Sequence, residues 1–600
     1  MTTRPNTRLT IYCTLILGVT TTTGCSESKS PKGSPSPPPI TFNRQIAPIV
    51  FQHCVVCHRP KGPTPFALLS YRDVKNRARQ IVDVTKGRVM PPWLPEPGYG
   101  KFVNERRLDD EQVALFQEWL NQGAMEGDPV DLPRPPHFTD EWQLGEPDLV
   151  IRMSRPYTLG KGLSAENSGG GVGEDVFRNF TIPVAIDEPR WVKAVEFQPQ
   201  NPQVVHHLAF FIDRTRSSRY LADPDGEPGY DGMQLRNAQS PNGHFIGWVP
   251  GKILAASNPD MAWRLERDTD VVLQMHMLPS GKPEVIQTTI GLHFTDKPPK
   301  RVPIMIRLGS KAIDIAPGQA DYHIQDQYVL PVDVEVHAVL PHAHYLGKQM
   351  KADARLPDGR IEPLIYIKNW DFYWQDEFRY EEPIYLPKGT TLQMQYTYDN
   401  SSANPRNPYD PPRRISYGPQ TYDEMGDLWL QLVPLKGDDL KILHREFTIR
   451  ELKSDIISCQ TRLRINPLDA TLHHILGLRL RTVGQLDAAE SYLREAVRLE
   501  PKNAQFHLNL GVVLHSRKRI DEAIGHFKEA VQLNPRSAKA HSNLGAARYL
   551  QGKTNQAIKH YRKALDIDPN LIDAHRNLAT ALKAQGDVNA ALEHERQAKE

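Results

Sequence analysis

Four prolines near the C-terminus, Pro467, Pro501, Pro535 and Pro569, fall 34 residues apart, and no other feature constrains the fold so tightly. Ala489, Ala523, Ala557 and Ala591 keep the same interval, as do Ala496, Ala530, Ala564 and Ala598. Gly477, Gly511 and Gly545 keep it too, with Ala579 in the fourth place. Small residues at a fixed interval let paired helices touch, and proline marks the turn to the next pair. A unit this short cannot bury its apolar face alone, so successive copies must stack into an α-solenoid. Three full repeats and a shorter fourth are expected over 470–600, after a helical connector over 446–469. His473, His507, His541 and His575 also recur. They are expected to pack between repeats rather than to bind metal.

The remaining chain is of another character. Over 600 residues, Lys+Arg is 73 against Asp+Glu 71, a net charge of +2 that gives no support for nucleic-acid binding. Arg4 and Arg8 precede an apolar stretch from Leu9 to Val19, too short to span a membrane and expected to be a signal peptide. Thr22-Thr23-Gly24-Cys25 resembles the cleavage box of bacterial lipoproteins, departing from it at Thr22. The resemblance implies a signal over 1–25, lipid on Cys25, and a periplasmic protein anchored to the outer membrane by that lipid alone. Residues 26–40, rich in Ser and Pro, are expected to be a tether.

Of five cysteines, Cys13 and Cys25 fall in the signal and Cys459 stands alone. The other two form Cys54-Val55-Val56-Cys57-His58, the c-type haem attachment pattern, in which two thiols bond the haem and the histidine binds its iron. Residues 41–128 are expected to form a small all-α cytochrome c-like domain with helices near 46–51, 71–86 and 109–121. Met90, in Met90-Pro91-Pro92-Trp93, is the expected sixth ligand in preference to Met125; a thioether there raises the potential. His53 is expected at the surface near the haem.

After a Pro-rich boundary the pattern becomes short alternating runs separated by Gly, Pro and Asn. Two β-sandwich units are expected, over 138–297 and 303–445. Their histidines are grouped. His206 and His207 are adjacent, and Leu273-Gln274-Met275-His276 is a strand with Gln274 and His276 on one face. His342 and His344 have strand spacing, and Met425 follows in Asp423-Glu424-Met425. Imidazole with a thioether favours copper, Cu(I) above all. Adjacent strand residues point to opposite faces, so His206 and His207 need a bend or different ring nitrogens. Trp370 to Trp374 is expected to be core.

These motifs resemble the copper type II ascorbate-dependent monooxygenases, the family of peptidylglycine α-hydroxylating and dopamine β-monooxygenases, over roughly 138–443. The resemblance implies two jelly-roll domains with one copper each. An electron-transfer copper would lie at His206, His207 and His276, with Gln274 on a possible electron path. An oxygen-activating, catalytic copper would lie at His342, His344 and Met425. The family's disulfides are missing here. The Arg with which peptidylglycine monooxygenase grips its substrate carboxylate is Leu340 here, and its Tyr and Asn near the Met are Trp429 and Asp427, which argues against peptide amidation. The 34-residue units resemble tetratricopeptide repeats. Asn509, Asn543 and Asn577 fall where such repeats line a groove, and resemble the asparagine ladder by which O-linked N-acetylglucosamine transferase holds extended peptide. Asparagine that merely caps or solvates the groove is the alternative.

The expected protein is therefore an oxidoreductase with two coppers and one haem c. It would use O2 and electrons from an external donor to hydroxylate an aliphatic C–H of an unknown substrate. A protein partner would dock on the repeats. A copper and haem electron-transfer or sensing protein without hydroxylase activity is the alternative, and a scaffold with vestigial redox domains a third reading.

Overall fold

The computed structural model describes residues 39–136, 142–160, 176–221, 226–232, 235, 237–252 and 259–598. The expected signal, with Cys25, lies outside the described residues. No helix among them is long and apolar enough to cross a membrane.

The N-terminal unit packs helices Ala47–His53, Tyr71–Lys75, Ala78–Lys86 and Asp110–Asn121 around Phe42, Ile46, Val50, Phe116 and Trp119. Ser70 and Asp109 start the second and fourth helices with reciprocal capping boxes. The long helix expected over 71–86 is broken at Asn76 and Arg77. His53 is buried, not at the surface, and burial lowers its pKa. It lies three and four residues after Val50 and Ile49, on the helix face that enters the core.

Residues 93–103 leave this unit and run along the second β unit. The Glu96 N–H donates to the Tyr366 carbonyl at 2.7 Å, the Val103 N–H to Arg379 at 2.8 Å, and the Glu381 N–H to Lys101 at 3.0 Å. Phe102 belongs to that unit's core, and Trp93 packs edge-on against Phe378 at 5.5 Å. The loop following Met90 is thus anchored by aromatic burial in the β region.

Each β unit is built on two larger antiparallel sheets sharing one core, with a two-stranded sheet beside them. In the first, strands Leu149–Arg152, Thr289–Thr295, Arg190–Gln198 and Trp263–Leu265 face Tyr230–Asp231, Val176–Pro183, Asp270–Met277, Val205–Asp213 and Gly247–Trp248. In the second, Ile304–Gly309, Gly426–Pro434, Val334–Ala343 and Phe378–Leu386 face Tyr322–Val329, Thr391–Tyr398, Gly347–Arg355 and Ile361–Ile367.

Helix Asp439–Ile465 joins this unit to the array, starting inside the stretch expected to be β. Its Leu443 enters the β core, and its Glu451 meets buried Arg307 at 3.1 Å. Arg307 also binds buried Asp427 at 2.6 Å. Removing one partner of a buried ion pair strands the other charge, at a cost of about 3–5 kcal/mol. Arg307→Met should therefore destabilise the second β unit by about that amount, read from its urea transition. Helix pairs then repeat: Ala470–Thr482 with Leu486–Leu499, Ala504–Ser516 with Ile520–Leu533, Ala538–Leu550 with Thr554–Ile567, and Ile572–Ala584 with Val588–Gln597. Gly477, Gly511 and Gly545 sit against Leu493, Phe527 and Tyr561, where a Cβ would collide. The small-residue period is thus a close-approach requirement.

Candidate metal centre

In the first β unit, strands Val205–Asp213 and Asp270–Met277 lie side by side with His207 opposite His276. The pairing shifts register between Val205 and His207, and this β-bulge resolves the problem of two adjacent histidines. All three rings converge through the same nitrogen. His206 Nδ1 is 3.2 Å from His207 Nδ1 and 3.0 Å from His276 Nδ1. One nitrogen from each ring lies within 4.8 Å of the others, so the trio could hold a metal ion. His206 Nε2 is 3.2 Å from the Tyr373 carbonyl, to which it donates, leaving Nδ1 as its lone-pair atom. His276 stacks on Phe177 at 4.1 Å. Burial, then His206, pushes the pKa of His276 down to about 2, and burial holds His207 well below its usual range. Neutral imidazole is the ligating form. Gln274 is buried and donates to Asn179 Oδ1 at 3.0 Å.

In the second β unit, Val334–Ala343 pairs with Gly426–Pro434, ending at His342 opposite Asp427 and Ala343 opposite Gly426. His344 and Met425 are the residues immediately beyond these two strand ends. The two rings are 5.2 Å apart and nearly perpendicular. His342 Nδ1 meets Gln375 Oε1, and His344 Nδ1 is 3.1 Å from the Asp423 carbonyl. Both partners are acceptors, so the Nε2 atoms of this set carry the lone pairs. Burial, then His342, pushes His344 down to about 3. Buried Glu424 accepts the N–H groups of His344, Leu346 and Met425, tying the histidine loop to the methionine loop. Tyr398 Oη donates to the Met425 carbonyl at 2.9 Å. An added methyl at Gly426 would strike Tyr398 Oη and Ile324. Gly426→Ala should accordingly displace Met425, weakening metal retention by about 10–100-fold, the usual cost of disturbing a ligand's supports. Competition against a chelator measures it.

The two sets meet at a segment the sequence assigns to core. Trp370 is core, and its Nε1–H donates to the His344 carbonyl at 3.2 Å. Phe372 is instead a wall between the sets, with its ring centroid 6.2 Å from both His206 and His276 and 5.9 Å from His344. With Tyr373 on His206 and Gln375 on His342, residues 372–375 touch both sets. Glu424 lies within the Asp423-Glu424-Met425 motif and Phe372 within the aromatic run, but spacing gave no sign of their contacts with the histidines or of Gln375, because only tertiary folding brings them there.

At Cys54-x-x-Cys57-His58 the N–H groups of Cys57 and His58 both bond the Cys54 carbonyl, at 3.2 and 3.0 Å, closing a turn. Both thiols are free. Burial pushes Cys54 up to about 12 and raises Cys57, the latter opposed by Arg106. Two free thiols and an imidazole on one turn could hold a haem. The turn abuts the first β unit: a Cβ on Gly251 would strike Cys57 Sγ. Arg106 reaches to 3.6 Å from Asp376, next to Gln375. Pro92, Trp93, Val249, Pro250, Trp374 and Gln375 share one crevice. Met90 is half-buried, its N–H 3.1 Å from the Val84 carbonyl. In the array, Asn509 Nδ2 is 2.7 Å from His474 Nε2 of the preceding repeat, and Asn543 and Asn577 are half-buried.

Comparison with family models matches "Tetratricopeptide repeat" over residues 476–538 and "TPR repeat" over residues 547–586. No curated protein matches the chain. Among solved structures, MamA (41-end) of Desulfovibrio magneticus RS-1 is 22% identical, covering 27% of this chain and 89% of its own, with a TM-score of 0.24. Pseudomonas aeruginosa pilF is 24% identical over 27% of this chain and 71% of its own, with a TM-score of 0.24. YrrB, titled a TPR protein with an unusual peptide-binding site, is 21% identical over 25% of this chain and 78% of its own, with a TM-score of 0.23. The paired helices of the C-terminal region are tetratricopeptide repeats, set behind a β-rich region.

Proposed function

We propose that the chain is an exported copper-dependent monooxygenase that hydroxylates an aliphatic C–H with O2, drawing electrons through a fused c-type haem. The observation that carries this reading is two groups of histidines meeting at Phe372: three converging Nδ1 atoms in one, and in the other His342 and His344, the latter tied to Met425 through the Glu424 carboxylate. In His206, His342 and His344 one ring nitrogen meets a backbone or amide oxygen, which leaves the other to a metal. Copper at the two sets would supply one-electron redox chemistry and oxygen activation, and haem on Cys54, Cys57 and His58 would supply an electron store.

The residues do the rest. His276 is buried, His206 and His207 half-buried, and burial keeps His207 and His276 neutral, so the trio would offer imidazole nitrogens to a copper that supplies the one-electron chemistry. Met425 adds the soft donor that favours the reduced state at the second set. Glu424 fixes the spacing of His344 and Met425. Residues 372–375 span the short distance from the haem-side crevice to both sets. Leu340 and Trp429 are cross-strand neighbours, with Trp429 against Phe245 at 5.5 Å, and Asp427 is bound by Arg307. An apolar patch and a spent carboxylate do not grip a substrate carboxylate, so amidation of peptides is not the reading. The array, in this proposal, docks an extended segment of a partner protein.

One observation favours the electron-transfer alternative: Phe372 fills the space between the sets. Oxygen uptake by the reduced protein, with and without cell extract as a substrate source, separates the two. Extract-dependent uptake with product formation supports hydroxylation, and substrate-independent electron flow supports the alternative. Deleting residues 470–600 should leave the haem spectrum and oxygen uptake unchanged. Changing Asn509, Asn543 and Asn577 to Ala should abolish partner retention.

A further inference from the structure

Three repeats of the array carry a second recurring histidine. His526, His560 and His594 follow His507, His541 and His575 by 19 residues. In each pair the two Nδ1 atoms are close: 3.0 Å for His507 and His526, 3.4 Å for His541 and His560, and 2.9 Å for His575 and His594. The first ring of each pair is held from its other side. Its Nε2 lies 2.9, 3.2 and 2.8 Å from the carbonyls of Pro501, Pro535 and Pro569. A carbonyl only accepts, so Nε2 carries the proton and Nδ1 aims a lone pair at the partner ring. Proteins fix metal-ligating imidazoles in this way, with one nitrogen donating to a backbone carbonyl and the other left to ligate.

The first repeat serves as an internal comparison. His473 Nε2 is 2.9 Å from the Pro467 carbonyl, but the position 19 residues on is Tyr492, whose ring centroid is 5.7 Å away. His473 Nδ1 is buried there with no hydrogen-bond partner. The proline carbonyl therefore sets the first ring's orientation whether or not a second imidazole is present. Packing does not demand imidazole at the second position, since tyrosine fills it. The sequence reading of His507, His541 and His575 as packing between repeats captures their contact with the proline turn and misses their partners.

We infer that each of these three repeats holds a two-imidazole site for a divalent ion of the Cu2+ or Zn2+ type. Ring centroids 5.3, 5.6 and 5.1 Å apart set the Nδ1 atoms nearly head-on, as in a shared N–H···N hydrogen bond; a turn of the half-exposed second ring would bring both nitrogens to about 2.0–2.1 Å from one ion at an angle of about 90–110°. Water would complete the coordination at the half-exposed second ring. Burial, then His507, pushes His526 down to about 4, and burial also lowers His560 and His594. The second repeat offers more: a cavity of about 320 Å³ lined by His507, Glu522, Gly525, His526 and Glu529. Glu522 is engaged by Arg519 and Arg494, so Glu529 is the carboxylate available to that ion. Two-nitrogen sites bind more weakly than the convergent trio of the first β unit and would exchange metal readily. The inference stands whether or not the β region is a monooxygenase.

The test uses the full-length protein and a variant carrying His526→Tyr, His560→Tyr and His594→Tyr, the residue the first repeat already has. Zn2+ and Cu2+ are titrated separately by equilibrium dialysis, with helix content followed by circular dichroism. The variant should take up three equivalents fewer of either ion at unchanged helicity, and each single variant one fewer. Equal uptake by variant and unaltered chain, or a deficit smaller than three, would overturn the proposal. If the triple variant loses helicity, the single variants decide: no loss of uptake in them overturns it equally.

Discussion

Replacing Met425 by leucine is expected to abolish oxygen-dependent turnover while His206, His207 and His276 keep their copper. Leucine matches the volume of the thioether, so the loop held by Glu424 and Tyr398 should keep its place. What would disappear is the soft donor proposed to join His342 and His344, and with it the preference for the reduced ion. Disturbing a ligand's supporting shell costs about 10–100-fold, and losing a ligand should exceed that. Steady-state oxygen consumption together with the paramagnetic resonance signal of the first set checks both halves. Retained turnover would place the oxygen chemistry elsewhere.

Removing the haem thiols should have the second largest effect. Cys54→Ala with Cys57→Ala eliminates covalent haem, seen as loss of the haem band after acid extraction. Residues 93–103 are fixed to the second β unit, so the attachment turn cannot drift far from the histidine sets. A tethered donor acts at about millimolar effective concentration, so about 10 µM of a soluble reductant should support turnover roughly 100-fold more slowly. Copper content should not change. In stopped-flow mixing of reduced unaltered protein with oxygen and substrate, haem oxidation should track product. Haem that stays reduced through many turnovers would contradict the relay.

How much of this could be read in advance depended on whether the signal was local. The 34-residue period specified the array down to its start at Ala470, because small residues at close helix contacts leave a direct trace. Cys54 to His58 and the grouped histidines stand out in the sequence because haem and metal chemistry ask for such residues at short spacing, and of them the structure draws His206, His207 and His276 together. The adjacency of His206 and His207 even called for a bend, which the bulge supplies. The excursion of residues 93–103 into the second β unit was not legible. Trp93 and Phe102 are aromatic residues whose burial partners lie more than 250 residues away in sequence. Phe372 and Gln375 escaped for the same reason. An aromatic run reads alike whether it fills a core or separates two sites. The second histidine of the last three repeats is less legible for a simpler reason: the position tolerates tyrosine, as at Tyr492, so the period is broken there.

Copper X-ray absorption on the reduced chain, loaded with copper and dialysed to remove weakly held metal, tests the central claim most directly. Two coppers per haem should remain, with a sulfur scatterer that vanishes in Met425→Leu and persists in His276→Ala, where one copper is lost. Retention of no copper, or two coppers with no sulfur contribution in the unaltered chain, would contradict the account.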